Sequence, residues 1–139
     1  MTKRLLFLDD IRYPVEAYKY TRQDIFLRKD WHIVRNYGQF VHWILEKGIP
    51  EMISFDHDLA DLQHDSQESV EKTGYDCAKW LIEYCLDHSL NIPKFYCHSM
   101  NPVGKENIES LLKNFKKNGI TKYFVERGLN YQNRIMYLS

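Results

Sequence analysis

Three short clusters of polar residues in this chain could carry chemistry, and each follows directly on an apolar run. The clusters are Asp9-Asp10, Asp56-His57-Asp58 and His98-Ser99. Short apolar runs are typical of buried parallel strands, and the carboxyl ends of parallel strands meet at one edge of a sheet. We therefore expect the three clusters to form a single site at that edge.

The four aspartates of these clusters, Asp9, Asp10, Asp56 and Asp58, would bring several negative charges close together. Such a cluster is unfavourable unless a cation or protons offset the repulsion. Carboxylate oxygens suit Mg²⁺ or Mn²⁺, and neighbouring imidazoles would also admit Fe²⁺ or Zn²⁺. We predict a divalent-metal site at these four residues. The alternative is that Asp9 or Asp58 only caps the segment that follows it.

Two histidines, His57 and His98, follow predicted strands and lie beside other polar residues. Histidine exchanges protons near neutral pH, so two of them can act as general base and general acid. We assign both, together with Asp56, as candidate catalytic residues; metal ligation and a structural hydrogen-bond role are the alternatives. The remaining histidines are assigned to the structural class: His32, His42, His64 and His88.

A phosphate pocket is predicted around Asn101-Pro102, because Asn caps helices well and Pro suits the first helical position. The free N–H groups of that first turn would favour an anion. Gly104 would let a phosphate approach the backbone, and Lys105 would add positive charge. Thr73 opens the preceding helix in a similar way, and Arg12 could form a bidentate clamp. An ordinary capped helix would fit the same residues.

The elements that must position these residues alternate between strand and helix, which favours a parallel sheet with helices on both faces. The predicted strands are Leu5–Leu8, Trp31–Arg35, Met52–Phe55, Pro93–Cys97 and Thr121–Glu126. The predicted helices are Gly38–Lys47, Tyr75–His88 and one that begins at Asn101-Pro102 and ends before Gly119. We therefore predict a three-layer α/β fold whose mainly parallel sheet has about five strands.

Three further segments lack a clear hydrophobic period. Ile11–Asp30 predicts a loop with one or two helical turns, and the polar stretch Ala60–Lys72 predicts an exposed loop. The apolar tail Ile135–Leu138 could add an edge strand.

The bulk composition restricts the classes of function. The 139 residues fit one domain, 1–139, and the net charge is zero because Lys plus Arg equal Asp plus Glu at 19 each. That balance predicts no general nucleic-acid surface and no attraction to a membrane. The first apolar run is too short for a signal peptide, and the three cysteines form no CxxC pair. We expect a reducing cytoplasm, and either a monomer or a dimer.

Four motifs occur in order along residues 4 to 117: Leu6–Arg12, Ile53–Leu59, Thr73–Asp76 and His98–Pro102. Together they resemble the cyclic-phosphate processing receiver domain family. The resemblance implies a receiver-like (flavodoxin-like) fold and a proposed role in processing cyclic phosphates of nucleotides or RNA ends.

Response-regulator receivers are the wider relatives that this resemblance implies. Asp9, Asp10 and Asp56 match the receiver positions that hold Mg²⁺, and Asp56 matches the one that accepts a phosphoryl group. Ser99 matches the hydroxyl residue after the fourth strand. The lysine that receivers carry after the fifth strand has only Lys122 as a counterpart, at the start of the predicted strand.

The motifs and the resemblance lead to one main hypothesis, a metal-assisted phosphodiesterase that opens a cyclic phosphate. One of His57 and His98 would deprotonate the attacking water, and the other would protonate the leaving hydroxyl. The alternative is a non-catalytic receiver-like module that accepts phosphate at Asp56 or binds a cyclic nucleotide intact. Receivers that accept phosphate require neither histidine, which favours the hydrolytic hypothesis.

Overall fold

The computed structural model describes residues 4–59 and 72–126, without the side chains of residues 117–126. The described strands are β1 (Leu5–Leu8), β2 (Trp31–Val34), β3 (Met52–Phe55) and β4 (Lys94–Cys97). The described α-helices are α1 (Pro14–Thr21), α2 (Tyr37–Lys47), α3 (Gly74–Asp87) and α4 (Pro102–Glu126), and a 3₁₀ turn spans Asp24–Leu27. None of these helices is long and apolar enough to cross a membrane.

The strands form one parallel sheet in the order β2-β1-β3-β4. Leu8 pairs with Phe55, and Phe55 pairs with Cys97, so β1, β3 and β4 end at the same level. The hydrogen bonding continues one residue further along the chain. Asp56 N–H donates to the carbonyl of Leu8 over 2.9 Å, and His98 N–H donates to that of Phe55 over 3.0 Å. The residues that follow these three strands therefore lie side by side.

Side chains alternate between the two faces of the sheet, which decides the side on which the site forms. In β1, Leu6 and Leu8 pack into the larger core with α2, α3 and α4. Leu5 and Phe7 pack on the opposite face, against α1 and the 3₁₀ turn. Asp9 follows Leu5 and Phe7 in this alternation, so it lies on the same face as α1. The same parity holds after β3 and β4, so the three residues that follow the strands share the α1 face.

The predicted fifth strand, Thr121–Glu126, is wrong, because these residues form the end of α4. The described sheet consequently has four strands, not about five. Gly119 lies inside the helix instead of ending it. A single glycine costs a helix about 1 kcal/mol relative to alanine, and a helix that is already several turns long extends more easily than a new element begins.

Ile11–Asp30 is more regular than predicted, because it contains both α1 and the 3₁₀ turn. Pro14 occupies the first position of α1, and the Glu16 carboxylate accepts the Tyr13 N–H over 3.3 Å. Few residues of α1 are buried, so it leaves little hydrophobic period in the sequence. The edge strand suggested at Ile135–Leu138 lies outside the described residues, as does residue range 60–71 of the predicted loop.

Candidate functional site

The aligned strand ends bring Asp9, Asp56 and His98 together on the α1 face of the sheet. One ligand atom from each residue lies within 4.8 Å of the other two. All three side chains are buried, with at most 3% of any of these residues exposed. We call this group the buried triad. The sequence analysis predicted this convergence of strand ends; it assigned Asp58 as a metal ligand and gave metal ligation as an alternative to catalysis for His98.

Asp9 is the best-satisfied carboxylate of the triad. Its Oδ1 accepts the backbone N–H groups of Ile11 and Arg12 over 3.0 and 2.8 Å, and its Oδ2 lies 3.0 Å from Nε2 of His98. Burial alone would raise the pKa of Asp9. The hydrogen bonds from His98 and the two N–H groups outweigh burial and lower that pKa to about 2. Asp9 is therefore ionised at neutral pH.

Asp56 is the opposite case, because it is buried but accepts few hydrogen bonds that would stabilise its negative charge. One of its oxygens accepts the N–H of His57 over 2.9 Å, and the other has no donor among the described residues. Burial raises the pKa of Asp56 to about 7, and the negative charges of Asp9 and Asp10 add to the effect. Near neutral pH this carboxylate requires either a proton or a cation, which fits a divalent-metal ligand.

Both ring nitrogens of His98 have partners. Nε2 donates to the Asp9 carboxylate, since a carboxylate at neutral pH only accepts, and Nδ1 lies 2.7 Å from the hydroxyl of Ser54. The ring stacks on Phe7 with a centroid distance of 4.3 Å. Burial lowers the pKa of His98 despite the nearby Asp9 carboxylate, which favours the neutral form of the imidazole. These contacts favour a ligand or positioning role over proton exchange with a substrate.

An open pocket of 520 Å³ lies above the strand ends. Its described lining combines carboxylates, one guanidinium, polar groups and an aliphatic rim: Asp10, Asp56, Asp58, Arg12, Ser99, Asn101, Ile11, Met100 and Pro102. The guanidinium of Arg12 lies 3.7 Å from Asp9 Oδ2 and 3.4 Å from the sulfur of Met100. Asp56 belongs both to the buried triad and to the lining of the pocket. The pocket thus has the size of a small-ligand site, and its lining carries both negative and positive charges.

Asp58 turns away from the triad and towards His57. Its Oδ1 accepts from Nδ1 of His57 over 2.9 Å, and its two oxygens lie 3.3 and 3.4 Å from Nδ2 of Asn101. The hydrogen bond from His57 lowers the pKa of Asp58. The carboxylate therefore orients an imidazole, which differs from the metal-ligand role predicted from sequence.

The imidazole of His57 occupies the space that Gly104 leaves at the start of α4. A Cβ at residue 104 would come within 2.3 Å of the ring. The absence of a side chain at Gly104 therefore admits His57, whereas the sequence analysis expected it to admit a phosphate. A second glycine, Gly74, makes a similar approach at the start of α3, where a Cβ would lie 1.7 Å from the carbonyl oxygen of Asp56.

The remaining predicted substrate-binding residues differ in their placement. Ser99 and Asn101 line the pocket, and Asn101 also caps α4 by accepting the N–H of Gly104 over 3.0 Å, as predicted. Lys105 and Thr73 are not among the described residues of the pocket lining. The Lys105 ammonium lies over the ring of Tyr96, and Thr73 forms a capping box with Asp76.

Three residues that support the site were not predicted from the sequence. Ser54 holds Nδ1 of His98, and Tyr20 donates its hydroxyl to the carbonyl of His98 over 2.7 Å. Arg35 donates from one nitrogen to the carbonyls of Asp9 and Arg12 over 3.2 and 2.6 Å, which fastens the β1–α1 loop. Only Ser54 leaves a signal in the sequence, because a polar residue inside an apolar strand must find a buried partner.

The all-parallel sheet with an acidic carboxyl edge defines a receiver-like α/β domain. The chain matches the family described as Cyclic-phosphate processing Receiver domain over residues 4–114, and it belongs to that family. The family resemblance inferred from the motifs is thereby confirmed.

Among solved structures, the chain is similar to a response regulator receiver domain protein (CheY-like) from Methanospirillum hungatei JF-1. The two share 17% identity over 86% of this chain and 100% of that chain, with a TM-score of 0.40. No curated protein matches the chain.

Proposed function

We propose that this receiver-like domain hydrolyses a cyclic phosphate on a nucleotide or an RNA end, with the help of a divalent metal ion. The observation that carries the proposal is the buried triad beneath a 520 Å³ pocket that also presents Arg12. The family's description as cyclic-phosphate processing gives the substrate class. The reaction adds water to phosphorus and breaks one ring P–O bond, which yields a phosphomonoester.

Asp9 and Asp56 are the residues that would hold the cation, and Asp10 lies in the lining of the pocket. The fit rests on Asp56, whose second oxygen is buried without a donor among the described residues. A bound Mg²⁺ or Mn²⁺ would supply Lewis-acid stabilisation of the phosphoryl oxygens and a more acidic water. The chain itself orients the Asp9 carboxylate before the ion binds, because two backbone N–H groups donate hydrogen bonds to it.

Arg12 is the group proposed to bind the phosphate. Its guanidinium lines the pocket and is held by Asp9 and Met100, so it is positioned before the substrate binds. A guanidinium makes bidentate hydrogen bonds to a phosphate and stabilises charge that develops during the reaction. Ser99 and Asn101 line the same pocket and would bind the sugar or phosphate oxygens.

His57 is the proposed general base; it is not itself among the described residues of the pocket lining, but Asp58, which accepts a hydrogen bond from its ring, is. Because Asp58 accepts from Nδ1, the lone pair of the neutral ring is on Nε2, which has no partner among the described residues. This is the arrangement in which a carboxylate orients a catalytic imidazole. The proton of the attacking water would pass to Nε2, and water in the open pocket would protonate the leaving hydroxyl. His98, whose nitrogens both have partners, is proposed as a ligand or positioning residue instead of the second acid–base group.

The test is to incubate the purified chain with Mn²⁺ or Mg²⁺ and a panel of cyclic phosphates. The panel contains 2′,3′- and 3′,5′-cyclic mononucleotides and an RNA oligomer with a 2′,3′-cyclic end. Phosphomonoester formation is followed by ³¹P NMR, with EDTA and Asp9→Asn as controls. The proposal requires turnover that both controls abolish. Intact substrates with every metal would refute it.

The non-catalytic alternative has one observation in its favour, the Asp56 oxygen that has no donor among the described residues, at the receiver phosphoacceptor position. It predicts a stable acetyl-phosphate or beryllofluoride adduct at Asp56, or tight binding with the cyclic nucleotide recovered intact. Lys122, the nearest sequence counterpart of the receiver lysine, lies in α4 about 30 Å along the helix axis from Pro102. That separation from the pocket favours hydrolysis over receiver-type phosphoacceptance.

The cellular setting is also a proposal. The three cysteines of the chain are free and buried, which suits a reducing cytoplasm.

A further inference from the structure

His98 and Ser54 together have the geometry of a metal ligand and the residue that orients it. Nε2 of His98 lies 3.0 Å from Asp9 Oδ2. Two adjacent ligands that are each about 2.1 Å from one metal ion, at right angles, are themselves about 3 Å apart. Nε2 of His98 and Oδ2 of Asp9, which form a hydrogen bond when no ion is bound, are therefore already separated by the distance expected between two ligands of one metal ion.

A metal ion in this place would need a lone pair on Nε2, so the ring proton must move to Nδ1. Ser54 can accommodate that change, because its hydroxyl lies 2.7 Å from Nδ1 and can either donate or accept. The ring cannot turn away, since it stacks on Phe7 at 4.3 Å and is buried. Second-shell hydrogen bonds of this kind fix the tautomer and direction of metal-bound histidines.

The third ligand atom of the group is an independent indication of a cation. Asp56 is 3% exposed and has one oxygen without a donor among the described residues. A carboxylate oxygen of Asp56 lies within 4.8 Å of the ligand atoms of both Asp9 and His98. Two carboxylates and one imidazole form a mixed oxygen and nitrogen donor set. Mg²⁺ prefers oxygen donors alone, whereas Mn²⁺, Fe²⁺ and Zn²⁺ accept imidazole.

We infer that His98 binds the cation directly through Nε2, that Ser54 orients it, and that the site prefers a first-row transition metal over Mg²⁺. This inference rests on the cation site of the proposed function. It does not depend on hydrolysis. It also gives His98 a role that leaves acid–base work to His57.

The direct test is electron spin echo modulation of the full chain loaded with Mn²⁺. The wild type is expected to show nitrogen modulation from a coordinated imidazole. His98→Asn keeps a group that can reach Ser54 but removes Nε2, so the modulation should disappear. His42→Gln is the matched control, because the His42 side chain is 78% exposed and pairs with Glu46. His57→Gln should also keep the signal.

Calorimetry supplies a second measurement. His98→Asn and Ser54→Ala are each expected to weaken Mn²⁺ binding by about 10–100-fold and Mg²⁺ binding by less than about 3-fold. Ser54→Ala retains the ligand itself and so decides the matter if His98→Asn fails to fold.

The outcomes separate this inference from the proposed function. Bound Mn²⁺ without nitrogen modulation, or modulation that survives His98→Asn, overturns the inference and leaves the proposed hydrolysis standing. Nitrogen modulation in a protein that leaves every cyclic phosphate intact supports the inference and overturns the hydrolysis. No Mn²⁺ binding at millimolar concentration overturns the inference and the cation site together.

Discussion

Gly104 and His57 are in direct contact: a Cβ on Gly104 would be 2.3 Å from Cγ of the His57 ring. The start of α4 is thus the surface against which the proposed general base rests. A methyl group at this position would displace the imidazole from its hydrogen bond with Asp58.

We therefore expect Gly104→Ala to lower kcat by about 10²-fold or more, the lower end of what a general base contributes, while the fold survives. Rates and thermal unfolding would be measured together. The control is Gly38→Ala in α2, where the new Cβ would meet only Asn36 at 3.6 Å. Equal rates for the two variants would show that the contact between Gly104 and His57 has no catalytic meaning.

Removal of the base itself should be more severe than removal of the residue that orients it. We expect His57→Gln to lose about 10²–10⁴-fold in kcat. Asp58→Asn should lose less, because the amide still contacts the ring but no longer selects the tautomer with a free Nε2. Steady-state kinetics of the two variants measured side by side would check this order, with the larger loss of kcat expected in His57→Gln. Unchanged kcat in His57→Gln would remove His57 from the mechanism.

Asp56 should make the stability of the metal-free protein depend on pH. Burial raises the pKa of Asp56 from 3.8 to about 7, so between these values the unfolded chain binds fewer protons than the folded one. Stability should therefore fall as pH rises from about 4 to about 7, by on the order of 4 kcal/mol.

Asp56→Asn removes this ionisation and should be the more stable protein above pH 7, with little difference at pH 4. Urea unfolding in EDTA at several pH values measures the effect. Asp24→Asn, an exposed carboxylate, is the control and should follow the wild type. A parallel pH dependence in Asp56→Asn and the wild type would contradict the prediction.

Divalent metal should stabilise the wild type in a pH-dependent way. A ligand at 100 times its Kd adds about 2.7 kcal/mol, which raises the Tm of a domain of this size by several degrees. The shift should be larger at pH 8 than at pH 5, because protons compete with the cation for Asp56. Asp9→Asn should lose the shift. An equal shift in Asp9→Asn would place the cation elsewhere.

The convergence of the three polar clusters could be predicted from sequence because it depends on strand ends alone. Apolar runs that stop at an aspartate or a histidine indicate both the strand and its end. The individual roles could not be predicted in this way. That Ser54 reaches His98 depends on the pairing and register of β3 and β4. That Asp58 turns to His57 depends on the conformation of the loop after β3.

The helix boundaries were harder to predict from the sequence, for a different reason. A helix with few buried residues, such as α1, leaves little hydrophobic period in the sequence, so the main local signal for it is Pro14 and Glu16 in its first turn. In α4 the glycine at residue 119 suggested an end, but the cost of one glycine is smaller than the cost of starting a new element.

The distance along the chain between Asp9 and His98, 89 residues, has a kinetic consequence. Asp9 follows β1 and His98 follows β4, and β3 lies between these two strands in the sheet. The strand β3 must therefore pair with both before Asp9 and His98 come into contact. Closure of so long a loop is slow compared with local helix formation. A partly folded chain would therefore present its carboxylates without the imidazole, and tight uptake of metal would mark the last step of refolding.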